Sequence, residues 1–187
     1  MKIAITGGIG SGKSYVCRLL SVRGIRVYDC DAAAKRLMRT SSELRRELKA
    51  LVGPDVYAGD VLQKKVMARF MLAGEENIRA VNDIVHPAVA RDFLASGMDW
   101  IETAILFDSR FDERVSLDRV ICVTAPDEVR IDRIMARDGI TRSQALEWMR
   151  RQMPQNEVVD RSDYVIVNDG IQSLDLQIDN ILNKILN

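Results

Sequence analysis

Histidine and cysteine are scarce in this sequence of 187 residues. His86 is the only histidine, and Cys17, Cys30 and Cys122 lie far apart, with no C-x-x-C pair among them. The chain therefore offers no basis for a zinc site, and its cysteines do not form the pattern of a disulfide-rich secreted protein. We expect reduced thiols in a cytoplasmic protein, with two of the three cysteines filling its core.

A net charge of one sign and long apolar segments are also absent. Lysine plus arginine and aspartate plus glutamate each number 27, so the formal net charge is zero. This balance argues against a general binder of nucleic acid or of acidic membranes. No apolar run is long enough to span a bilayer, and the chain opens on a strand pattern rather than on a signal peptide. We expect no nucleic-acid partner, no membrane partner and a monomer, although neither charge nor hydrophobic pattern bears on assembly.

A glycine-rich segment near the amino end is the most informative feature that the sequence does contain. Residues 7–14 read Gly-Gly-Ile-Gly-Ser-Gly-Lys-Ser, which matches the phosphate-loop pattern G-x-x-x-x-G-K-[ST]. The segment lies between an apolar, β-branched strand pattern at 2–6 and a helical pattern at 13–23. Its glycines let backbone N–H groups curl round phosphate oxygens, and the helix N-terminus adds partial positive charge.

This motif assigns roles to two side chains that follow the glycines. Lys13 would reach the β- and γ-phosphates of a nucleoside triphosphate, and the Ser14 hydroxyl would hold Mg²⁺. The alternative is a glycine-rich turn that binds nothing, but such a turn has no need of Gly12 followed by Lys13 and Ser14. The sequence therefore predicts a site for a nucleoside triphosphate.

Strand and helix patterns alternate along the chain. Strands are predicted at 2–6, 25–28, 100–107, 117–125 and 164–167. Helical patterns lie between and after them, at 13–23, 32–52 (interrupted near 40–42, with Ser42 as a cap), 60–95, 127–137, 141–152 and 174–185. The stretch at 60–95 is expected to form two helices separated near Gly74, with residues 82–87 inside or between helical segments. This alternation predicts an α/β protein with a P-loop NTPase fold, in which a five-stranded parallel sheet carries helices on both faces. We expect a single domain over 1–187, with its ligands at the carboxyl ends of the strands.

Two segments exceed what simple crossovers need. The helical stretch at about 32–97 is a candidate insert that binds an acceptor, and the stretch at about 137–155 is a candidate helical lid over the triphosphate. Arg130, Arg133 and Arg137 share one helix face before the lid, at i, i+3 and i+7. A solvated basic stripe is the ordinary explanation of this spacing. The alternative is that Arg137, and after it Arg133, neutralise charge on a transferring phosphoryl group.

Carboxylates follow the second predicted strand. From that edge of the sheet, Asp31 could orient or deprotonate an attacking hydroxyl, or contact Mg²⁺ through water. Either Asp29 or Asp31 could instead cap the next helix. For Asp29 both roles stay open, whereas we favour a functional role for Asp31. In the insert, Lys64 could grip an anionic acceptor or belong to an ordinary wet helix face, and His86 taken alone fits a packed or surface residue.

The ordered series of these residues resembles the dephospho-CoA kinase family over nearly the whole chain. The matching segments are the loop at 6–14, Asp29-Cys30-Asp31, residues 61–65, His86-Pro87, Ala104 to Asp108, Arg133 with Arg137-Asp138, Gln152, and Asn168-Asp169-Gly170. Where the family pattern has Thr, Pro, Glu and commonly Arg, this sequence has Tyr15, Ala104, Asp108 and Lys64. The carboxylate of Asp108 is one methylene shorter than that of glutamate and therefore reaches less far toward the acceptor. Lys64 keeps the positive charge of arginine but loses its bidentate geometry.

The resemblance implies transfer of the γ-phosphate of ATP to the ribose 3′-hydroxyl of dephospho-CoA, which gives CoA and ADP and is the last step of coenzyme A biosynthesis. It implies catalytic roles for Lys13, Asp31 and Arg137, with Asp31 as the base, and a metal-binding role for Ser14. It implies that the ATP-binding residues are Gly8, Gly10, Ser11, Gly12, Lys13, Ser14, Tyr15, Arg133, Asn168 and Gly170. It implies that the residues that bind the acceptor are Asp31, Lys64, His86 and Asp108. The alternatives are another small-molecule P-loop kinase, with a nucleotide, nucleoside or sugar acceptor, and a nucleotide-dependent switch that hydrolyses ATP slowly.

Overall fold

The computed structural model describes residues 1–186, and its contacts divide the chain into two compact units. The first unit combines residues 1–28 with the chain from residue 98 onward, and the second covers residues 29–97. The second unit overlaps the helical insert predicted at 32–97, whose acceptor-binding role stays a prediction. Within residues 1–186, every helix is too short or too polar to cross a membrane.

A five-stranded sheet organises the first unit among the described residues. Its strands are β1 (Ile3–Thr6), β2 (Val27–Asp29), β5 (Trp100–Glu102), β6 (Arg119–Thr124) and β7 (Tyr164–Val167), arranged in the order β2-β5-β1-β6-β7. The central strand β1 is parallel to both of its neighbours, and Ile3 stands opposite Trp100 on one side and Arg119 on the other. Every residue of β1 is buried, as expected for a parallel strand covered on both faces. The predicted five-stranded parallel sheet is confirmed.

Helices connect these strands and cover the sheet. They are α1 (Lys13–Val22), α6 (Phe111–Arg114), α7 (Asp127–Asp138), α8 (Arg142–Arg150), α9 (Gln155–Asp160) and α10 (Leu174–Leu186). Val16 and Leu20 of α1 and Ile178 of α10 pack in one cluster with Ile5 of β1 and Ile121 of β6. A separate small cluster joins α7 to α8 through residues 131, 134 and 145. Burial of these side chains fixes the ends of the strands that carry the site.

The second unit contains four α-helices, one short 3-10 helix (Pro54–Val56) and a short hairpin within residues 29–97. The helices are α2 (Cys30–Thr40), α3 (Ser42–Val52), α4 (Lys64–Leu72) and α5 (Glu75–Ala95), and the hairpin strands are β3 (Tyr57–Ala58) and β4 (Val61–Leu62). The core of this unit includes Leu44, Leu48 and Phe93, each at most 2% exposed. Helix α5 continues through Pro87, so the predicted break between helical segments lies near Gly74 alone.

The structure corrects several predicted boundaries. Strand β2 begins at Val27 and includes Asp29, whereas 25–28 was expected. Strand β5 ends at Glu102, and the rest of the stretch predicted as a strand with its exit at 100–107 is the exit, where the chain turns and Ser109 N–H donates to the Ile105 carbonyl at 2.8 Å. A helix starting at residue 60 was also wrong, since Gly59 and Asp60 form the turn between β3 and β4. Gly59 adopts φ 59°, which suits this tight turn.

The cap of α3 is likewise one residue away from its predicted place. Ser41, not Ser42, is the N-cap, and its hydroxyl accepts a hydrogen bond from Leu44 N–H at 3.2 Å. Ser41 has extended backbone angles (φ −81°, ψ 115°), as an N-cap requires, whereas Ser42 is already helical. The run Thr-Ser-Ser offers three capping side chains in succession, and backbone angles decide among them.

Candidate active site

The glycine-rich loop follows β1 and leads into α1. Gly12 has φ 93°, and a Cβ added there would lie 2.0 Å from Asn168 Nδ2. At Gly10 the φ is 80°, and an added Cβ would lie 2.6 Å from the carbonyl oxygen of Arg130. A side chain at either position would be strained and would collide with its surroundings. The loop therefore needs glycine both for its curvature and for the close approach of neighbouring segments.

The first turn of α1 has no acidic side chain to offset the positive end of the helix dipole. The first turns of α2, α3 and α7, by contrast, each contain one or more acidic residues. The positive end of the helix dipole thus keeps its attraction for an anion. Ser14 and Tyr15 are exposed at this end of the helix, and the Tyr15 ring lies 5.2 Å from the Arg18 guanidinium carbon.

Lys13 is buried beside the carboxylate of Glu102, a residue that no motif in the sequence marks. Its ammonium lies 3.8 Å from Glu102 Oε1 and 3.5 Å from the carbonyl oxygen of Gly8. A buried ammonium requires such partners, because an unpaired charge is costly away from water. Glu102 is the last residue of β5, and β5 pairs with β1. Its position at a strand end, on the edge that carries the loop, is the signal that could have identified it.

Arg133 and Asn168 hold the carbonyl side of the loop. The Arg133 guanidinium donates to the carbonyl oxygens of Gly10, Ser11 and Asn168 at 3.4, 3.3 and 3.1 Å. Asn168 is buried, and its Nδ2 donates to the Ser11 carbonyl at 2.9 Å. Because C=O and N–H point in opposite directions across a trans peptide, the Gly12 N–H points away from these two side chains. The structure thus brings predicted residues Arg133 and Asn168 to the loop, where they support its backbone.

The three arginines on α7 do not form a uniform stripe. Arg130 is 5% exposed, Arg133 is half-buried and Arg137 is exposed. Burial lowers the pKa of Arg130, and Asp127 at 3.1 Å opposes that shift. The expectation of a solvated basic stripe is therefore wrong for Arg130. Arg137 pairs with Asp138 at 2.7 Å and makes no hydrogen bond to the loop in the described part of the chain.

Two further predicted residues lie beyond strand ends. Gly170, with φ 84°, belongs to the turn after β7. In that turn the Asp169 carboxylate accepts backbone N–H bonds from Gln172 and Ile171, which lower the pKa of Asp169. Asp108 Oδ1 accepts from the Met153 N–H at 3.0 Å, so this carboxylate holds the connection between α8 and α9. The acceptor role predicted for Asp108 stays a prediction.

The remaining predicted residues stand on helices of the second unit. Asp29, the last residue of β2, is the N-cap of α2 and accepts from Ala32 N–H at 2.9 Å, so it does cap this helix. Asp31 is exposed in the first turn of the same helix. Lys64 is the exposed first residue of α4, and His86 is half-buried in α5. Their roles toward an acceptor stay predictions.

The donor set fits a magnesium ion better than a metal held by protein alone. Within the described residues, no group of three or more His, Cys, Asp or Glu side chains could enclose a metal ion. Mg²⁺ commonly keeps several waters and binds through substrate phosphates with one or two protein oxygens. The exposed Ser14 hydroxyl at the start of α1 is an oxygen of this kind.

Cys122 is not a nucleophile here, because burial raises the pKa of its thiol to about 11.

Comparisons with known proteins agree with this geometry. The family model described as dephospho-CoA kinase matches residues 1–173. A dephospho-CoA kinase from Bacteroides fragilis is 40% identical over 185 residues, which cover 95% of this chain and 89% of that protein. The crystal structure of TT1252 from Thermus thermophilus matches with a TM-score of 0.83 at 33% identity, covering 100% of this chain and 98% of the other.

A more distant solved structure supports the fold alone. The dephospho-CoA kinase from Campylobacter jejuni has a TM-score of 0.67 at 20% identity and covers 99% of this chain and 98% of its own. The family model and the relative from Bacteroides fragilis each extend over most of the sequence. The resemblance that the motifs carried is confirmed, and the chain belongs to the dephospho-CoA kinase family.

Proposed function

We propose that this chain performs the reaction of its family with ATP as the donor and the ribose 3′-hydroxyl of dephospho-CoA as the acceptor. The observation that carries the proposal is the loop itself, in which glycines at positive φ lead into a helix without acidic residues in its first turn. Such a loop presents N–H groups and a positive helix end to phosphate oxygens. Family membership then selects the acceptor, which the loop alone does not specify.

Lys13 supplies the mobile positive charge of the donor site. Its ammonium lies beside Glu102 in a buried position. We expect the β- and γ-phosphates of ATP to compete with Glu102 for this ammonium, because phosphate oxygens carry more negative charge and accept strong charge-assisted bonds. Asn168 and Gly170 would border the adenine, at the turn that follows β7. The Ser14 hydroxyl would hold Mg²⁺, which when bound to the phosphates offsets their charge.

Asp31 is the proposed base. Asp29 already caps α2, so the Asp31 carboxylate is not needed for that purpose. It forms no hydrogen bond or ion pair with the residues that the structure describes, and it is exposed. In the reaction it would accept the proton of the 3′-hydroxyl while that oxygen attacks the γ-phosphorus. The bond from the γ-phosphorus to the β–γ bridging oxygen breaks in line, and ADP leaves.

Arg137 is the proposed source of charge stabilisation from the segment at 137–155. Its present partner is the neighbouring carboxylate of Asp138, and its side chain is 61% exposed. An exposed pair of this kind is weak, so exchanging Asp138 for a phosphoryl oxygen costs little. A guanidinium at the transferring group would stabilise charge that develops in the transition state. Lys64, His86 and Asp108 complete the proposal as contacts of the acceptor.

The cellular compartment of the protein is a separate part of the proposal. Cys17, Cys30 and Cys122 form no disulfide among the described residues, and Cys30 and Cys122 are buried. Thiols of this kind are usual in a reducing compartment, which supports a cytoplasmic protein.

Mass analysis of the product tests the function. Dephospho-CoA is incubated with the protein, ATP and Mg²⁺, and the expected product is heavier by one phosphoryl group, with one ADP released for each product molecule. A parallel panel of nucleotides, nucleosides and sugars serves as the control. Faster phosphorylation of a panel member would overturn the choice of acceptor. ADP release without any phosphorylated acceptor would indicate a slow ATP hydrolase instead.

A further inference from the structure

The backbone of Ile9, in the middle of the loop, is held at its N–H and at its carbonyl by side chains far away in sequence. The Ile9 N–H donates to Gln152 Oε1 at 2.7 Å. The Ile9 carbonyl accepts from Arg130 Nε at 3.0 Å. The two partners follow Ile9 by 143 and 121 residues respectively. Two successive peptide groups of the phosphate loop, Gly8–Ile9 and Ile9–Gly10, are thus fixed by one residue that follows α8 and one residue of α7.

The contact is too close to be an accidental surface bond. Arg130 is 5% exposed, and its Nη1 is fixed by Asp127 at 3.1 Å. A Cβ added at Gly8 would lie 2.3 Å from Arg130 Nη2 and 3.4 Å from Gln152 Oε1. The loop therefore lies directly against both polar groups, and glycine at position 8 is what permits the approach.

Gln152 also lies at a significant place in the chain. It belongs to the connection between α8 and α9, inside the segment predicted to form a lid, and the next residue, Met153, is held by Asp108 at 3.0 Å. Because Gln152 occupies the Ile9 N–H, that N–H is turned to the protein and is not offered to a phosphate. The bond joins the end of the arginine-bearing segment to the anion-binding loop.

We propose that Gln152 is a positioning residue that, together with Arg130, holds the backbone of Ile9 and sets the segment at 137–155 in register with the phosphate loop. The inference rests on the proposed function, in which this loop binds the phosphates of ATP, and it extends that function to residues that touch neither substrate. Loss of the Gln152 bond would release the Ile9 N–H and loosen the loop backbone there, although Arg130 would still hold the Ile9 carbonyl. The neighbouring N–H groups would then have to be ordered by ATP itself, which weakens binding.

Two variants of similar size separate the hydrogen bond from packing. Gln152→Met removes the oxygen that accepts the hydrogen bond from the Ile9 N–H. Gln152→Glu keeps an oxygen at the same distance along the side chain, and the Arg130 guanidinium offsets the added charge. Amide exchange of Ile9 is measured in the absence of nucleotide, and the affinity for ATP is measured without dephospho-CoA. We expect protection of the Ile9 amide in the wild type and in Gln152→Glu, and its loss in Gln152→Met. ATP affinity should fall about fivefold to tenfold in Gln152→Met alone, the effect of one hydrogen bond.

Gln155→Met is the matched control. Gln155 is another glutamine of the same region, and its side chain bonds both the N–H and the carbonyl of Ala125 at 3.3 and 3.1 Å. This variant should leave Ile9 protection unchanged. The proposal is overturned if the wild-type Ile9 amide exchanges as fast as an open loop amide, a measurement that needs no variant to fold. Equal ATP affinity of Gln152→Met and Gln152→Glu would also overturn it. Neither measurement contains dephospho-CoA, so neither depends on the proposed phosphoryl transfer. Failure of that transfer would show separately, as missing product in the mass analysis.

Discussion

At the scale of single residues, chemistry is divided between side chains that look alike in the sequence. Asp29 and Asp31 are separated by one residue, yet Asp29 caps α2 through Ala32 N–H and Asp31 is exposed without that task. Arg130 and Arg137 share a helix face in the sequence pattern, yet one is buried against the loop and the other pairs with Asp138 at the surface. Residue type alone therefore does not decide function, and the local partner does.

This division gives a prediction for the two aspartates. Asp31→Asn should lower kcat by about a hundredfold to ten-thousandfold, the usual effect of losing a general base, while ATP affinity stays nearly unchanged. Asp29→Asn is the matched control, because asparagine caps a helix as well as aspartate does. Steady-state kinetics and nucleotide titration on both variants provide the check. A turnover for Asp31→Asn close to that of Asp29→Asn would remove Asp31 from the role of base.

At the scale of elements, the sequence predicts most strands and helices but misses features that tertiary contacts decide. The loop is predictable because strand, glycines and helix are contiguous in the chain. The contacts that Glu102, Arg130 and Gln152 make with the loop are not predictable, because they join residues far apart in sequence. The hairpin of β3 and β4 was also missed, since two strands of two residues each leave no readable alternation.

The start of α3 allows a test at this scale. Ser41→Ala should lower the free energy of unfolding by about 1 kcal/mol, because the Leu44 N–H loses the hydroxyl that caps it. Ser42→Ala should be close to neutral, since this residue is exposed and already helical. Urea denaturation of the two variants measures the difference. The assignment of the cap to Ser41 would be wrong if Ser42→Ala proved the more destabilising change.

At the scale of the whole molecule, each of the two units carries part of the proposed chemistry. The first unit holds the phosphate loop, Lys13 and the arginines of α7, and the second holds Asp31, Lys64 and His86 on its helices. The family model and the relative from Bacteroides fragilis extend over both units, which is why the acceptor can be inferred although the loop specifies only the donor. The individual contacts of the acceptor stay predictions, because no local pattern separates an anion-binding lysine such as Lys64 from a solvated one.

The most direct measurement compares dephospho-CoA with an analogue that lacks the ribose 3′-hydroxyl, using ADP release from ATP and Mg²⁺ as the readout. Both compounds offer the same remaining groups for binding, so only the attacking oxygen differs. With dephospho-CoA we expect rapid ADP release matched by phosphorylated product, and with the analogue only slow release without product. Equal ADP release with the two compounds would contradict transfer to the 3′-hydroxyl.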